Sequence, residues 1–508
     1  MKLFLIAFLH TLLLVSTQAN AQFTQAARAD YLNIIDELDL GDMRNTMLNV
    51  GNEGLNPSRY WTTSMEQAWK VGGYWDANLK RQANENFLLL LEDMHGGVVD
   101  PSTMGSDIKM SKKSFVSDKQ LRVLMYTHGL RSQPLLMSFS PQSAPYISLK
   151  EALRRITYYC NNGMWTNLPT PAKKVELGGS DPAIPAWKER LRLLGYKISS
   201  VDQTFDTQMM TAINDIQWLN KVVPDGSITA SGSTYKYLNT GCIERARQIR
   251  LDMEKLRWFP QTFEDRYIYV NLAMTQFNLV DKQTGTSMNF RTINGRTARP
   301  SPTMKDKVVY IVINPYWVVP PTIFREDKME DLKGLSPSQI TEYFDSHNYE
   351  LWNSSFTKRV DPSTVDWNSL DPNSDNLFYI RQRPHLGNAL GVLKFMMTNP
   401  YAIYLHDTNQ RELFADGQRQ LSSGCIRLEH PVELAEYLLK GTNWNRSAIE
   451  AAMAKPGEVM ENDTRVNLQK PIPVYLVFQT SSLNSDGVIR FSEDTYRQGA
   501  RMLQRGAY

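Results

Sequence analysis

Two side chains on either side of a polar loop, His406 and Cys425, carry the clearest chemical signal in this chain. His406 closes the run Tyr401-Ala402-Ile403-Tyr404-Leu405, which reads as a strand, and a 12-residue polar loop, Gln410 to Leu421, follows. Then comes Ser422-Ser423-Gly424-Cys425-Ile426-Arg427-Leu428. Alternate strand residues share a face, so Ala402, Tyr404 and His406 are expected to point the same way. A glycine directly before a cysteine permits close backbone approach and exposes amide groups. An imidazole beside a thiol takes its proton, and the thiolate attacks a carbonyl carbon. Backbone N–H groups around Ser423 to Cys425 would stabilise the resulting oxyanion. The competing reading is that a lone cysteine and a lone histidine are inert core residues. Three features weigh against it: the cysteine follows Ser-Ser-Gly, the histidine ends a strand, and the chain opens with an export signal.

That signal is the only long apolar segment. Lys2 gives a positive start, Leu3 to Val15 is apolar apart from His10 and Thr11, and Ala19-Asn20-Ala21 is a small-x-small cleavage site. The run is short for a bilayer and reads as a secretory signal peptide over residues 1–21, with an uncleaved anchor as the alternative. The whole chain, at 508 residues, predicts three or four domains. With 42% apolar and 21% charged residues it has a normal globular balance. A net charge of +3 lacks the basic excess of a general nucleic-acid binder. Three cysteines make no disulfide framework, and no C-x-x-C or Cys/His cluster offers a zinc site.

The elements that must position the pair follow from periodicity. Residues 22–177 read as helical, with Leu88, Leu89, Leu91 and Met94 crowding one segment and Leu121, Leu124 and Met125 at helical spacing. His95, before two glycines, reads as structural. Residues 178–240 form a compact unit of three short helices: Trp187, Leu191 and Leu194 lead to a stop at Gly195, and Met209, Ala212, Ile213, Ile216 and Leu219 repeat the period. A helix of alternating charge over 241–262 reads as a linker. Beyond it, Tyr267–Val270, Phe277–Val280, Val308–Val312 and Val474–Phe478 are β-branched and aromatic runs, so 263–481 is expected to be mainly β. Between about 324 and 377 this pattern lapses into a polar insertion of lid-like length. Residues 482–508 are left as a tail. The fold class expected is multi-domain α+β.

The motif His406-Asp407-Thr408, with Ser422-Ser423-Gly424-Cys425-Ile426-Arg427 sixteen residues on, closely resembles the signature of the L,D-transpeptidase family with its YkuD-type catalytic fold. Arg257-Trp258-Phe259-Pro260, Asn314–Pro321, Val365-Asp366-Trp367, Gly387–Gly391 with Lys394-Phe395, and Pro473-Val474-Tyr475 resemble the long, Gram-negative subgroup. The resemblance implies a scaffold domain, a peptidoglycan-binding domain and a catalytic domain with a capping insertion. It implies Cys425 as nucleophile, His406 as proton acceptor, the backbone carbonyl of Asp407 orienting His406, and the amides of Gly424 and Cys425 as oxyanion donors. Tyr404, Ser423 and Arg427 would line the substrate site, Ser423 standing where many members have histidine. The implied donor is a peptidoglycan tetrapeptide stem, cleaved at the L-centre of its third residue with release of D-alanine. A second stem as acceptor gives a 3→3 cross-link, and water gives carboxypeptidase activity. The resemblance further implies a periplasmic location, carbapenem sensitivity, and no metal or organic cofactor.

Other readings are weaker. Ser106-Asp107-Ile108-Lys109 and Ser374-Asp375-Asn376 match pieces of the serine penicillin-binding pattern, but only Lys455-Pro456-Gly457 stands in for K-T-G. A Ser-His-Asp triad through adjacent His406 and Asp407 fails because neighbouring strand residues face opposite ways. A non-catalytic wall-binding protein would leave the Cys425/His406 pair without purpose. Cys160 and Cys242 flank the small helical unit and would pair if close. The apolar helix around Tyr158-Tyr159 instead favours two buried free thiols.

Overall fold

The computed structural model describes residues 28–374 and 377–507. The expected signal peptide, and Asp375 and Asn376 of the S-D-N match, lie outside them.

Separate apolar cores divide the chain. The first joins Ile34 to Phe139 around the helix Ala77–Gly96, where Leu79, Ala83, Phe87, Leu91 and Met94 repeat at helical spacing. Asp76 caps that helix by accepting from the amides of Asn78 and Leu79. His95 packs edge-on against Phe115 and Phe139, one ring nitrogen 3.1 Å from the Ser114 carbonyl. The next helix, Ala144–Asn161, turns away from this core. Its Tyr146, Leu149, Leu153 and Ile156 pack with Trp187, Leu191 and Ile213 of the small helical unit, so the packing boundary falls well before residue 177. The small unit holds helices Ile184–Leu194, Thr207–Leu219 and Ser233–Leu238.

The charged helix Cys242–Arg257 is not an exposed linker. It buries Asp252, Glu254, Lys255 and Arg257. Arg257 donates to the Glu53 carbonyl and, at 3.0 Å, to Glu254 Oε2, whose other oxygen accepts from the Val99 amide. Lys255 donates to the Phe478 carbonyl at 2.8 Å, and Asp252 accepts from the amides of Thr480 and Ser481. Buried charges persist only when each is paired and hydrogen-bonded, as here. Charge alternation on this helix therefore joins the N-terminal helices to the C-terminal sheet and does not mark a solvated face.

That sheet begins with β1 (Arg266–Asn271), β2 (Gln276–Asp281), β3 (Thr286–Gly295) and β4 (Met304–Ile313). The insertion supplies β5 (Trp317–Val318), β6 (Tyr349–Trp352), β7 (Arg359–Val360) and β8 (Tyr379–Gln382). Next come β9 (Leu393–Met397), β10 (Leu405–His406), β11 (Gln420–Ser422), β12 (Ile426–Leu428) and β13 (Thr464–Val477). The main sheet runs β11-β3-β12-β10-β9-β4-β13-β1-β2, and β2 pairs again with β3, closing the ring. Its core is Ile268, Leu279, Ile311, Phe395, Leu405, Ile426 and their neighbours.

Three expectations need correction. The insertion is broader than 324–377 and carries its own sheet, ordered β5-β8-β6-β7, over a core with Phe324, Phe344 and Trp367. Residues 482–508 are no loose tail: β14 (Ser481–Leu483) and β15 (Ile489–Phe491) pair, Ile489 and Phe491 enter the second core, and Met502 is buried. Cys160 and Cys242 form a disulfide with their Cα atoms 5.8 Å apart, so they are not free thiols. The end of one helix meets the start of the other, which brings together residues 82 positions apart.

Candidate active site

The strand order places His406 and Cys425 together. β10 runs parallel to β12, with Leu405 opposite Ile426 and His406 opposite Arg427, while β9 sets Lys394 opposite His406 on the other side. Leu405 and Ile426 are fully buried in the sheet core, which pins this register. Cys425 immediately precedes β12. The expected strand from Tyr401 is shorter: only Leu405–His406 is extended, and Ala402 is left-handed at φ 56°. The Asn399 side chain accepts from the amides of Tyr401 and Ile403, and this turn competes with the ladder.

A cavity of about 490 Å³ opens between these strands and the capping insertion. Its wall includes Cys425, His406, Tyr404, Ser423, Gly424 and Arg427, together with Trp317 and Ile323 from the cap. Asp407 is not on that wall. Its buried carboxylate accepts from the Val392 amide at 3.0 Å and pairs with Arg411 at 2.9 Å. A Cβ at Gly391 would stand 2.4 Å from that carboxylate, so the turn requires glycine. The Asp407 backbone carbonyl lies 2.5 Å from His406 Nδ1. A carbonyl only accepts, so Nδ1 carries the proton in the neutral ring and Nε2 keeps its lone pair.

Residues 265–449 match the L,D-transpeptidase catalytic domain known as YkuD, and residues 36–153 match a scaffold domain. The chain carries a YkuD-type L,D-transpeptidase catalytic domain. A Haemophilus influenzae protein named "Putative L,D-transpeptidase" is 31% identical over 248 residues, which are 49% of this chain and 47% of that relative, so the match spans about half of each. Two solved structures show similarity at 12% identity: the L,D-transpeptidase (residues 123–326) of Xylanimonas cellulosilytica, over 61% of this chain and 100% of that one with a TM-score of 0.18, and L,D-transpeptidase 3 of Mycobacterium tuberculosis with a faropenem-derived adduct, over 42% and 61% with a TM-score of 0.20. Scores this low do not serve to compare folds.

Within the transpeptidase domain, charge and burial set the state of the pair. Burial, then the Arg427 charge, pushes His406 down to about 3, so its ring is neutral near pH 7. Burial raises the Cys425 thiol, while hydrogen bonds from Tyr404 and the charges of Lys394 and Arg427 pull it back. The resting pair is thus a neutral thiol and a neutral imidazole. Cys425 Sγ donates to the Ala402 carbonyl at 3.4 Å. Lys394 lies 3.9 Å above the Tyr404 ring, a cation–π contact that steadies the tyrosine.

The loop geometry corrects one expected role. The Gly424 N–H donates to Ser422 Oγ at 3.1 Å, and Ser422 Oγ donates to the Cys425 carbonyl at 2.6 Å. The serine hydroxyl folds the turn upon itself, so the Gly424 amide is engaged and is not an open oxyanion donor in this conformation. Gly424 instead supplies its φ of 118°, which L side chains rarely adopt, since a Cβ there would meet only ordinary contacts.

Two residues near the pair were not among the expected site residues: Arg299 on the wall, and Lys394 beside Tyr404. Lys394 interrupts the otherwise apolar β9, and a charge in such a run was a usable signal. Arg299, from the loop after β3, gave none. Of the penicillin-binding pattern, Asp107 is held by Arg501 and Gln498, and Ser106, Lys109 and Ser374 are absent from the cavity wall.

Proposed function

We propose that this protein is an L,D-transpeptidase of cell-wall biogenesis with Cys425 as nucleophile and His406 as general base. The observation that carries this reading is a thiol and an oriented, neutral imidazole sharing one cavity inside an L,D-transpeptidase catalytic domain. His406 Nε2 takes the Cys425 proton, and sulfur attacks the carbonyl at the L-centre of the third residue of a tetrapeptide stem. The Cys425 N–H faces the oxyanion as it forms. The tetrahedral adduct collapses to a thioester as the D-alanine amine leaves with the proton from His406. A side-chain amine of a second stem then attacks the thioester, forming the 3→3 amide and restoring the thiol. Water in its place gives a carboxypeptidase. Tyr404, Ser423 and Arg427 would contact the stem. Carbapenems would acylate the same sulfur, and no metal or organic cofactor is required.

Purified protein incubated with disaccharide-tetrapeptide should release D-alanine and yield a cross-linked dimer by mass. Stem binding without D-alanine release would instead support the non-catalytic wall-binding reading. We further propose that residues 1–21 direct export to the periplasm, a reading supported by the Cys160–Cys242 disulfide. Residues 178–240 would bind wall polymer. Deleting them should reduce co-sedimentation with isolated peptidoglycan, and equal sedimentation would make the unit a spacer.

A further inference from the structure

We infer that Arg299 is a positioning residue that ties the capping insertion to the cysteine loop, an inference that rests on the function proposed above. The Arg299 side chain is 11% exposed and lies on the cavity wall beside Asp327 and Ser423. On the cap side its guanidinium donates to both oxygens of Asp327 at 2.7 Å and to Glu326 Oε2 at 3.0 Å. On the other side Nη1 donates to Ser423 Oγ at 3.1 Å. The bidentate pair with Asp327 together with the bonds to Glu326 and Ser423 uses more than the three N–H groups an ammonium offers, so the planar five-donor fork is needed for the full set.

The surroundings support a coupling role over a surface ion pair. Glu326 and Asp327 sit in a π-helical turn, Phe324–Lys328, an irregularity that recurs at functional sites. The segment carrying Arg299 also grips the cysteine loop directly: the Arg296 amide donates to the Ser422 carbonyl at 2.9 Å, and Ser301 Oγ to the Gly424 carbonyl at 2.7 Å. Where the acidic turn sits therefore decides where the guanidinium sits, and the guanidinium fixes Ser423, two residues before the nucleophile. Arg299 makes the close contacts that carry cap position to Cys425, and Arg296 adds only a longer 3.8 Å ion pair to Asp327.

The test uses full-length protein and the rate constant for acylation of Cys425 by a carbapenem, followed by intact mass across a concentration series. Arg299→Ala should lower the saturating rate about 10- to 100-fold, the cost of a misplacement near 1 Å, while the half-saturating concentration moves less than about threefold. Arg299→Lys should recover only part of the rate. The paired change Glu326→Gln with Asp327→Asn should lower the rate, as should Ser423→Ala. Combined, they should cost no more than the larger alone, because both act through Arg299. An unchanged saturating rate in Arg299→Ala, or effects of the cap pair and Ser423→Ala that multiply, overturns the coupling. If Arg299→Ala does not fold, the cap-pair and Ser423 cycle decides alone. Wild-type protein that is never acylated sinks the proposed function and this inference with it; acylated wild type with indifferent variants sinks only the inference.

Discussion

The two sulfur sites of this protein are built from the same residue type in opposite company. Cys160 and Cys242 sit where the end of one helix meets the start of another, against an apolar core, and each is the other's partner. Cys425 stands in a tight loop above a cavity, its sulfur near the Ala402 carbonyl, the Tyr404 hydroxyl and the charges of Lys394 and Arg427. The first site constrains the chain; the second holds a thiol that burial keeps protonated, on the same cavity wall as the His406 imidazole. Reactivity follows from what lies within reach of sulfur and not from cysteine itself. A half-buried histidine, His95, and the buried His406 repeat the lesson. Burial lowers both His95 and His406, yet His95 packs between phenylalanines while His406 opens onto the cavity.

The contrast breaks most completely if Cys425 is dispensable. Cys425→Ala should abolish the carbapenem adduct and D-alanine release while leaving the disulfide and the fold intact, as read by intact mass and circular dichroism. An adduct that persists moves the nucleophile elsewhere.

His406→Ala should reduce turnover by roughly 10²–10⁴ with unchanged secondary structure. The pH profile sharpens this. With His406 depressed to about 3 and Cys425 raised, one neutral pair dominates between them, so the wild-type acylation rate should stay level from about pH 4 to pH 8. In His406→Ala the rate should climb with pH as free thiolate accumulates. A wild-type inflection between about pH 6 and 7 would mean that His406 titrates in the ordinary range.

The smallest effect on chemistry is expected at the disulfide. Removing it with Cys160→Ser and Cys242→Ser should leave turnover within about twofold but lower stability by ~4 kcal/mol, the chain-entropy value for a loop of this length. Denaturant titration measures that loss. Thiol titration of denatured, unreduced wild type should find one free thiol; three would leave the helices unbridged.

Much of this was legible in one dimension because it rests on local chemistry. The pattern around His406 and Ser423–Arg427 picks out an imidazole and a thiol by type, and the fold sets both on one cavity wall. The helices around Leu88 and Met209 follow from a 3.6-residue repeat, and the β runs from alternation and branching. These signals act between near neighbours, so tertiary context could only confirm or trim them. It trimmed the strand before His406, where the Asn399 side chain takes the amides that a ladder would have used.

What the tertiary structure decided is everything set by partners distant in sequence. Helix Cys242–Arg257 has the charge of a linker, and its burial becomes tolerable through distant partners such as the carbonyls of Glu53 and Phe478 and the amides of Val99, Thr480 and Ser481. Residues after 481 look like a tail until Ile489 and Phe491 find the second core. Cys160 can meet Cys242 because the intervening small unit returns the chain to its starting point. Arg299 has no sequence signature because a guanidinium takes its role from the oxygens around it. Those oxygens belong to Glu326, Asp327 and Ser423, which are brought together only by the fold.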